Sequence, residues 1–411
     1  MNGVKKMLIY WVWYASLGGI SLVQKNALLR HFRDPEEIFH ARDEALRRIP
    51  GITELNLKAL ENKDLSVAET VLANCAEKGI GILTLGEESY PDRLRNTYDP
   101  PLVLYFKGVL PEWDEVPVIG IVGTRKATTY GMNTALRFGR QIAACGAVVV
   151  SGGASGIDTM AMQGALDAGK PVVGVLGCGV DIVYPKTNKE LFSRVTEKGC
   201  LISEYPPKTP PSPWQFPERN RIISGISNGL LVIEAPEKSG ALITANRAME
   251  QGRDVFAVPG NVDVPTCAGS NGLLQDRAIA ALSGWDVVKE YDLLYPGQIK
   301  RQEQPVSVEN TVIKVAENQL MPGDSETGNG ENDKKSIDNG EKSSYSVLDK
   351  QIPALTETER AVLEAIHEKP IAVDEVIDRT ALPAGTVKSI LTKLALKRLV
   401  VSHPGGHISR K

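Results

Sequence analysis

At 411 residues the chain exceeds one ordinary core and predicts two to four domains, at ~100 to 200 residues each. A formal charge of −3 with 42% hydrophobic residues excludes a protein that attracts polyanions through its overall field, so any nucleic-acid site must concentrate Lys and Arg on one face. Cys75, Cys145, Cys178, Cys200 and Cys267 are scattered with no C-x-x-C spacing, which argues against a disulfide framework or a zinc ribbon and for reduced thiols in a cytoplasmic protein.

The apolar, aromatic run 7–17 is too short to span a bilayer and no small-residue cleavage site follows it; the expectation is a buried helix and no membrane association. Apolar residues recur at helical spacing through Leu22, Leu28, Leu29 and Phe32, and again through Val67, Val71 and Leu72, with breaks at Gly18-Gly19 and Pro50-Gly51. Residues 47–62, RRIPGITELNLKALEN, have two readings: a helix-hairpin-helix whose turn amides meet a phosphate, or an ordinary turn in a small bundle.

Beyond a bridging segment with Tyr90-Pro91 and Pro100-Pro101, short β-rich runs alternate with helical ones. Strands are predicted at 118–122, 147–151, 171–176, 200–203, 230–234 and 255–258, with helices at 132–144, 157–168 and 242–251 among them. Mostly apolar strands without strict alternation imply burial on both faces, hence a Rossmann-like, doubly wound, mostly parallel α/β sheet. Its ligands should collect at the carboxyl ends of the strands.

Residues 322–346 carry almost no apolar side chains and cannot bury a core, which places a flexible linker over 296–354. Thr356 and Glu359 then form a capping box ahead of Val362, Leu363 and Ile366. Three short helices closed by LVVSHPGGHISRK read as a winged helix with 384–397 in the recognition position. The expected domains are therefore 1–80, helical; 81–295, Rossmann-like; 296–354, linker; and 355–411, winged helix.

Three glycine-rich turns follow the first three strands of the α/β domain: GIVGTRKATTYG, SGGASGID and GCGVDIVYP. Glycines let a phosphate approach the backbone, and each following helix adds partial positive charge at its N-terminus. On parallel strands the turns line one sheet edge and make an anion-binding groove. The first reads G-x-x-G rather than G-x-G-x-x-G, and G-x-x-x-x-G-K-[ST] is absent, which weighs against NAD binding and ATP hydrolysis. Arg125, Arg219, Arg221 and Lys238 lie in or near such turns, the arginines suited to bidentate phosphate contacts. Each also fits a surface salt bridge, Arg221 especially. Trp214 and Phe216 can stack bases or fill a core.

The histidines, His31, His40, His367, His403 and His407, all lie outside 118–288, so that region holds neither a Ser-His-Asp triad nor a histidine metal cluster. Asp158, Asp181, Glu204 and Glu234 fit structural roles, capping helices or tying down arginines, better than catalysis or Mg²⁺ binding.

In order, GTR (123–125), SGGASGID, GCGVDIVYPKTN, ISEYPP, FPERNRIISG, EAPEKSGALITA and FAVPG resemble the DNA processing protein DprA (Smf) family over roughly 81–291. The helical N-terminal segment, similar to a SAM or helix-hairpin-helix domain, and the winged helix look like that family's longer members. The resemblance implies single-stranded DNA binding, a homodimer through the Rossmann-like domain, a RecA-type recombinase as partner, and protection or loading of DNA during natural transformation. It implies no catalytic residue, metal or cofactor. The residues expected to contact DNA and phosphate are Gly123, Thr124, Arg125, Ser151, Gly152, Gly153, Gly156, Asp158, Arg219, Asn220, Arg221, Lys238, Ser239 and Gly240, of which the resemblance itself implies Arg125, the turn 152–156, Arg219, Asn220 and Lys238. Where the family pattern leads to LIRQGA, this chain reads LLQDRA (273–278), with Arg277 in the glycine's place. Two other readings stand beside this one. A nucleotide-processing enzyme of a related family would use Glu234, although the P-G-G-x-G-T-x-x-E signature is absent. A duplex-reading regulator would use Lys388, Lys393, Lys397 and Arg398 of the winged helix.

Overall fold

The computed structural model describes residues 3–301, 357–366, 371–380, 382, 386–387, 390–391, 394, 399–403 and 407–410. They fall into two compact units, Met1–Val312 and Ile313–Lys411.

The first unit opens with six helices: α1 (Gly3–Ser16), α2 (Leu22–Leu29), α3 (Pro35–His40), α4 (Asp43–Arg47), α5 (Glu54–Leu60) and α6 (Ser66–Lys78). The aromatic run lies in α1 as expected, with Trp13 and Tyr14 fully buried. Gly51 turns the chain between α4 and α5 at φ +81°, and Thr53 caps α5 through its hydroxyl to the Asn56 amide. Strands β1 (Gly81–Thr84) and β2 (Val103–Gly108) follow, with α7 (Asp92–Arg95) between them. Neither strand is among the six predicted, although the Val-Leu-Tyr-Phe run of β2 carries strong β character.

The α/β succession is β3 (Val118–Gly123), α8 (Thr129–Ala144), β4 (Val148–Ser151), α9 (Ile157–Asp167), β5 (Val172–Val175), α10 (Lys189–Lys198), β6 (Cys200–Ser203), α11 (Gln215–Ile226), β7 (Gly229–Ile233), α12 (Gly240–Glu250), β8 (Asp254–Ala257), α13 (Ala268–Gln275), β9 (Ile279–Ala280) and α14 (Gly284–Val288). All six predicted strands are present within one or two residues of their expected ends, and α10 and α11 add two helices to the predicted three. The nine strands order as β1-β2-β6-β5-β4-β3-β7-β8-β9, parallel from β6 to β9, with β2 antiparallel to β6 and to β1. Alternate residues feed opposite cores, as period-two geometry requires. Ile119, Ile121 and Val149 join the cluster beneath α8 and α9, while Val118, Val122, Val148 and Val150 join the cluster beneath α11 and α12.

Two expected boundaries shift. The helical segment and the α/β sheet share one apolar cluster, running from Trp13 and Tyr14 through Tyr105 to Val149, so position 80 divides fold types and not cores. The predicted linker begins inside packed structure: Ile299 is buried and the Lys300 amide donates to the Cys145 carbonyl at 3.0 Å. From residue 302 the linker lies outside the described residues, as does Thr356 of the predicted capping box.

The second unit contains α15 (Glu357–Glu364), β10 (Ile371–Ala372), α16 (Val373–Thr380), β11 (Val400–His403) and β12 (His407–Arg410). Its strands order as β10-β12-β11 in an antiparallel sheet, with Val362, Ile366, Val376 and Ile408 in the core. That is the expected winged-helix arrangement. Of the predicted recognition helix only scattered positions are described, and Lys388, Lys393, Lys397 and Arg398 lie outside them.

Candidate nucleic-acid interface

Strand order reverses between β3 and β7: the chain moves outward through β4, β5 and β6, then returns to the other side of β3. A crevice opens at the carboxyl ends of strands flanking such a switch. Here it is a groove of about 630 Å³ lined by Gly123, Thr124, Arg125 and Lys126 after β3, Ala154 and Asp158 after β4, Phe216, Arg219 and Asn220 on α11, and Lys238, Ser239 and Gly240 after β7. A smaller recess of about 50 Å³ adjoins it, walled by Gly152 to Ser155, Gly177, Cys178, Tyr184, Phe216 and Arg219.

The backbone is held close around this space. The Thr124 amide donates to the Glu234 carbonyl at 2.8 Å, locking the turn after β3 to the end of β7. Gly156 precedes α9 at φ +81°, and a Cβ there would lie 2.5 Å from the Thr124 carbonyl oxygen, so only glycine lets the two turns touch. Gly152 abuts two ionisable groups, with an ideal Cβ 2.6 Å from Asp158 Oδ2 and 2.7 Å from Arg219 Nη2. The Asn188 side-chain amide steadies the second turn by donating to the Gly153 carbonyl at 3.0 Å. The N-termini of α8, α9 and α12 face this edge, capped by Thr128, Gly156 and Ser239.

Arg125, Lys126 and Lys238 are exposed on the groove. The Arg125 guanidinium lies 5.2 Å from the Phe216 ring centroid, and Phe216 stacks on Tyr184 at 5.5 Å with a 30° interplanar angle. Phe216 is thus a groove residue with one cationic and one aromatic neighbour; Trp214 is 61% exposed and meets Tyr205 edge-on. Tyr184 was not singled out from sequence, where a tyrosine in GCGVDIVYP gives no sign of which way it faces.

Arg219 is buried on the groove floor, where its Nη1 donates to the carbonyls of Gly152, at 2.6 Å, and Val175. Burial lowers its pKa to about 10, with Asp158 opposing, so it remains charged at neutral pH. Asp158 accepts from the Ala154 amide at 3.4 Å, and burial raises its pKa to about 6 against the pull of Arg219, the turn amides and Arg125.

Three nominated residues line neither space: Gly156 only lets the first two turns touch, and Arg221 and Ser151 face elsewhere. Arg221 lies two positions beyond Arg219 on α11, about 200° around the helix. It is buried against Glu204 and the Asp99 carbonyl, 2.8 Å away, and lines neither space. The Ser151 hydroxyl donates to the Ile121 carbonyl at 2.7 Å inside the sheet. The remaining carboxylates do structural work: Glu234 accepts from the Thr128 amide at 3.1 Å, the Thr128 hydroxyl at 2.9 Å and the Thr266 hydroxyl, and Asp181 accepts from Lys78 and the Lys208 amide. The α4–α5 turn contributes nothing to this groove. No described helix is long and apolar enough to cross a membrane.

Comparison with known proteins gives consistent results. Residues 81–292 match the model of the family described as DNA recombination-mediator protein A, and 348–406 match the DprA winged helix domain. Protein Smf of Synechocystis sp. is 32% identical over 408 residues, covering 98% of each chain. DNA processing protein DprA of Bacillus subtilis is 43% identical over 220 residues, 54% of this chain and 74% of that one. The X-ray structure of DNA processing protein A from Streptococcus pneumoniae superposes with a TM-score of 0.60 at 31% identity, covering 69% of this chain and 97% of that one.

Proposed function

The chain belongs to the DNA recombination-mediator protein A family, also called DprA or Smf, and on that premise we propose that the groove at the β3/β7 switch binds single-stranded DNA. The observation that carries this reading is the pairing of exposed Arg125, Lys126 and Lys238 with the Tyr184–Phe216 stack in one groove. Cations and helix N-termini attract the phosphates, while the aromatic pair gives unpaired bases a surface to stack on. A duplex keeps its bases inside and cannot use that surface. Within this reading the protein is a non-catalytic homodimer in the cytoplasm that protects the strand and passes it to a RecA-type recombinase. The proposed site residues are Gly123, Thr124, Arg125, Lys126, Gly152, Gly153, Asp158, Tyr184, Phe216, Arg219, Asn220, Lys238, Ser239 and Gly240.

Fluorescence-anisotropy titration with single-stranded and duplex oligonucleotides of equal length, at several salt concentrations, tests this. The wild-type chain should prefer the single strand. Arg125→Ala should weaken binding and reduce the slope of log K against log salt by about 0.7, the value for one phosphate contact on a single strand. Equal binding of single strand and duplex, or an unchanged Arg125→Ala variant, would remove the groove as the DNA site.

A further inference from the structure

Two irregular loops shape one side of the groove. The loop after β5 supplies Cys178 and Tyr184, and the loop after β6 runs into α11 with Phe216 and Arg219. Both are hydrogen-bonded to the last turn of α6 in the helical part of the unit, and the first also packs Cys178 and Val180 into the apolar cluster it shares with the helices. Asp181, 10% exposed in the first loop, accepts the Lys208 amide of the second at 2.9 and 3.2 Å and the ammonium of Lys78 at the end of α6. Lys208 in turn extends its ammonium to Asn74 Oδ1 of α6 at 2.6 Å. Asn74 and Lys78, four residues apart, share one helix face, so one turn of α6 grips both loops. The loops are also tied directly, the Gly179 amide donating to the Thr209 carbonyl at 3.0 Å.

The backbone at this junction is under load. Lys208 sits at φ +69°, a left-handed conformation that a side chain other than glycine keeps only where its surroundings hold it there. Asp181 and Asn74 hold its two ends. Burial works against a charged Asp181, yet the bonds from Lys78 and the Lys208 amide keep its carboxyl below the usual range.

We propose that α6 is a positioning element for the groove: through Lys78 and Asn74 it holds the two loops in the register that stacks Tyr184 on Phe216. The proposal rests on reading the groove as a single-stranded DNA site. It gives the helical N-terminal segment a role in DNA binding without a DNA contact of its own, since neither Lys78 nor Lys208 lines the groove or its recess.

The test uses the full chain with Lys78→Met, Asn74→Ala and Lys78→Arg, measuring single-strand affinity at several salt concentrations and hydrogen exchange of the unliganded protein. Lys78→Met and Asn74→Ala should weaken binding about 3- to 10-fold, the range for residues that act through a packed network. The salt slope should stay at the wild-type value, exchange should quicken within 177–188 and 204–214 only, and Lys78→Arg should restore both. A Lys78→Met slope lower by about 0.7 would make Lys78 a direct phosphate contact and overturn the proposal. Wild-type affinity in both variants, or unchanged exchange in the two loops, would overturn it as well. A wild-type chain that fails to bind single strands sinks the DNA reading, and exchange then decides the clamp alone: faster exchange in both loops upholds it and unchanged exchange overturns it.

Discussion

Asp158 places a titratable acid beside the cations of the groove, with burial raising its pKa to about 6 from an ordinary 3.8. The folded chain therefore binds more protons than the unfolded one between those two values, and the burial cost of the charged form is absent below about 4 and fully present above about 6. With the groove as the proposed DNA site, the same protonation removes a negative charge next to the phosphates, so affinity should rise as pH falls through 6. Single-strand affinity should tighten roughly 3- to 10-fold between pH 7.5 and 5.5, the size of one unit charge acting across a partly solvated groove. The Asp158→Asn profile should be flat; a wild-type slope surviving in that variant would assign the titration elsewhere. Histidines are absent from 118–288, which removes the usual competing titration from the α/β domain. Other residue-level features were legible only in part. Arg277 was visible as a charged residue where the family pattern leads to glycine, but that it holds φ +83°, a conformation glycine adopts freely, depends on the backbone path.

At the scale of elements, the turn joining β3 to α8 depends on Thr128. Its hydroxyl accepts from the Gly131 amide at 3.1 Å as the N-cap of α8 and donates to Glu234 at 2.9 Å, tying the helix start to the end of β7. Glu234 is buried with φ +49°, so the carboxylate that fastens this turn is itself held in an uncommon conformation. Thr128→Ala should cost about 1–2 kcal/mol in urea unfolding, as lost N-caps do, with part of that from the undersupplied Glu234 carboxylate. A loss below ~0.5 kcal/mol would show that the Thr128 amide and Thr266 suffice to hold Glu234. The glycine turns and the strands before them were legible because each is a local pattern: apolar run, glycines, then a capping residue. The division of labour between Arg219 and Arg221 was not, because it depends on FPERNRIISG forming a helix. Once α11 forms, residues two apart face opposite ways, and one guanidinium meets the groove floor while the other meets Glu204.

For the molecule as a whole, the two compact units and the shared core make opposite predictions for truncation. A fragment of residues 1–301 keeps every residue assigned to the groove and should bind single strands within about a factor of two of the full chain, as expected for separate units. A fragment of 81–301 loses the cover that α1 and its neighbours give to Leu102, Val103 and Tyr105, and should melt at least ~5 °C lower than 1–301 in a calorimeter. Equal melting temperatures would mean that the helical segment is an independent domain after all. The sequence by itself determined the α/β class, the succession of the six central strands, the glycine turns and the family, because apolar periodicity, turn chemistry and ordered motifs are properties of neighbouring residues. The tertiary structure alone decided which turns meet. The 3–7 strand neighbourhood that opens the groove, the Tyr184–Phe216 stack, and the grip of α6 on Asp181 and Lys208 join residues from about 30 to 130 positions apart. Such contacts are set by sheet order and helix rotation, which no local pattern carries.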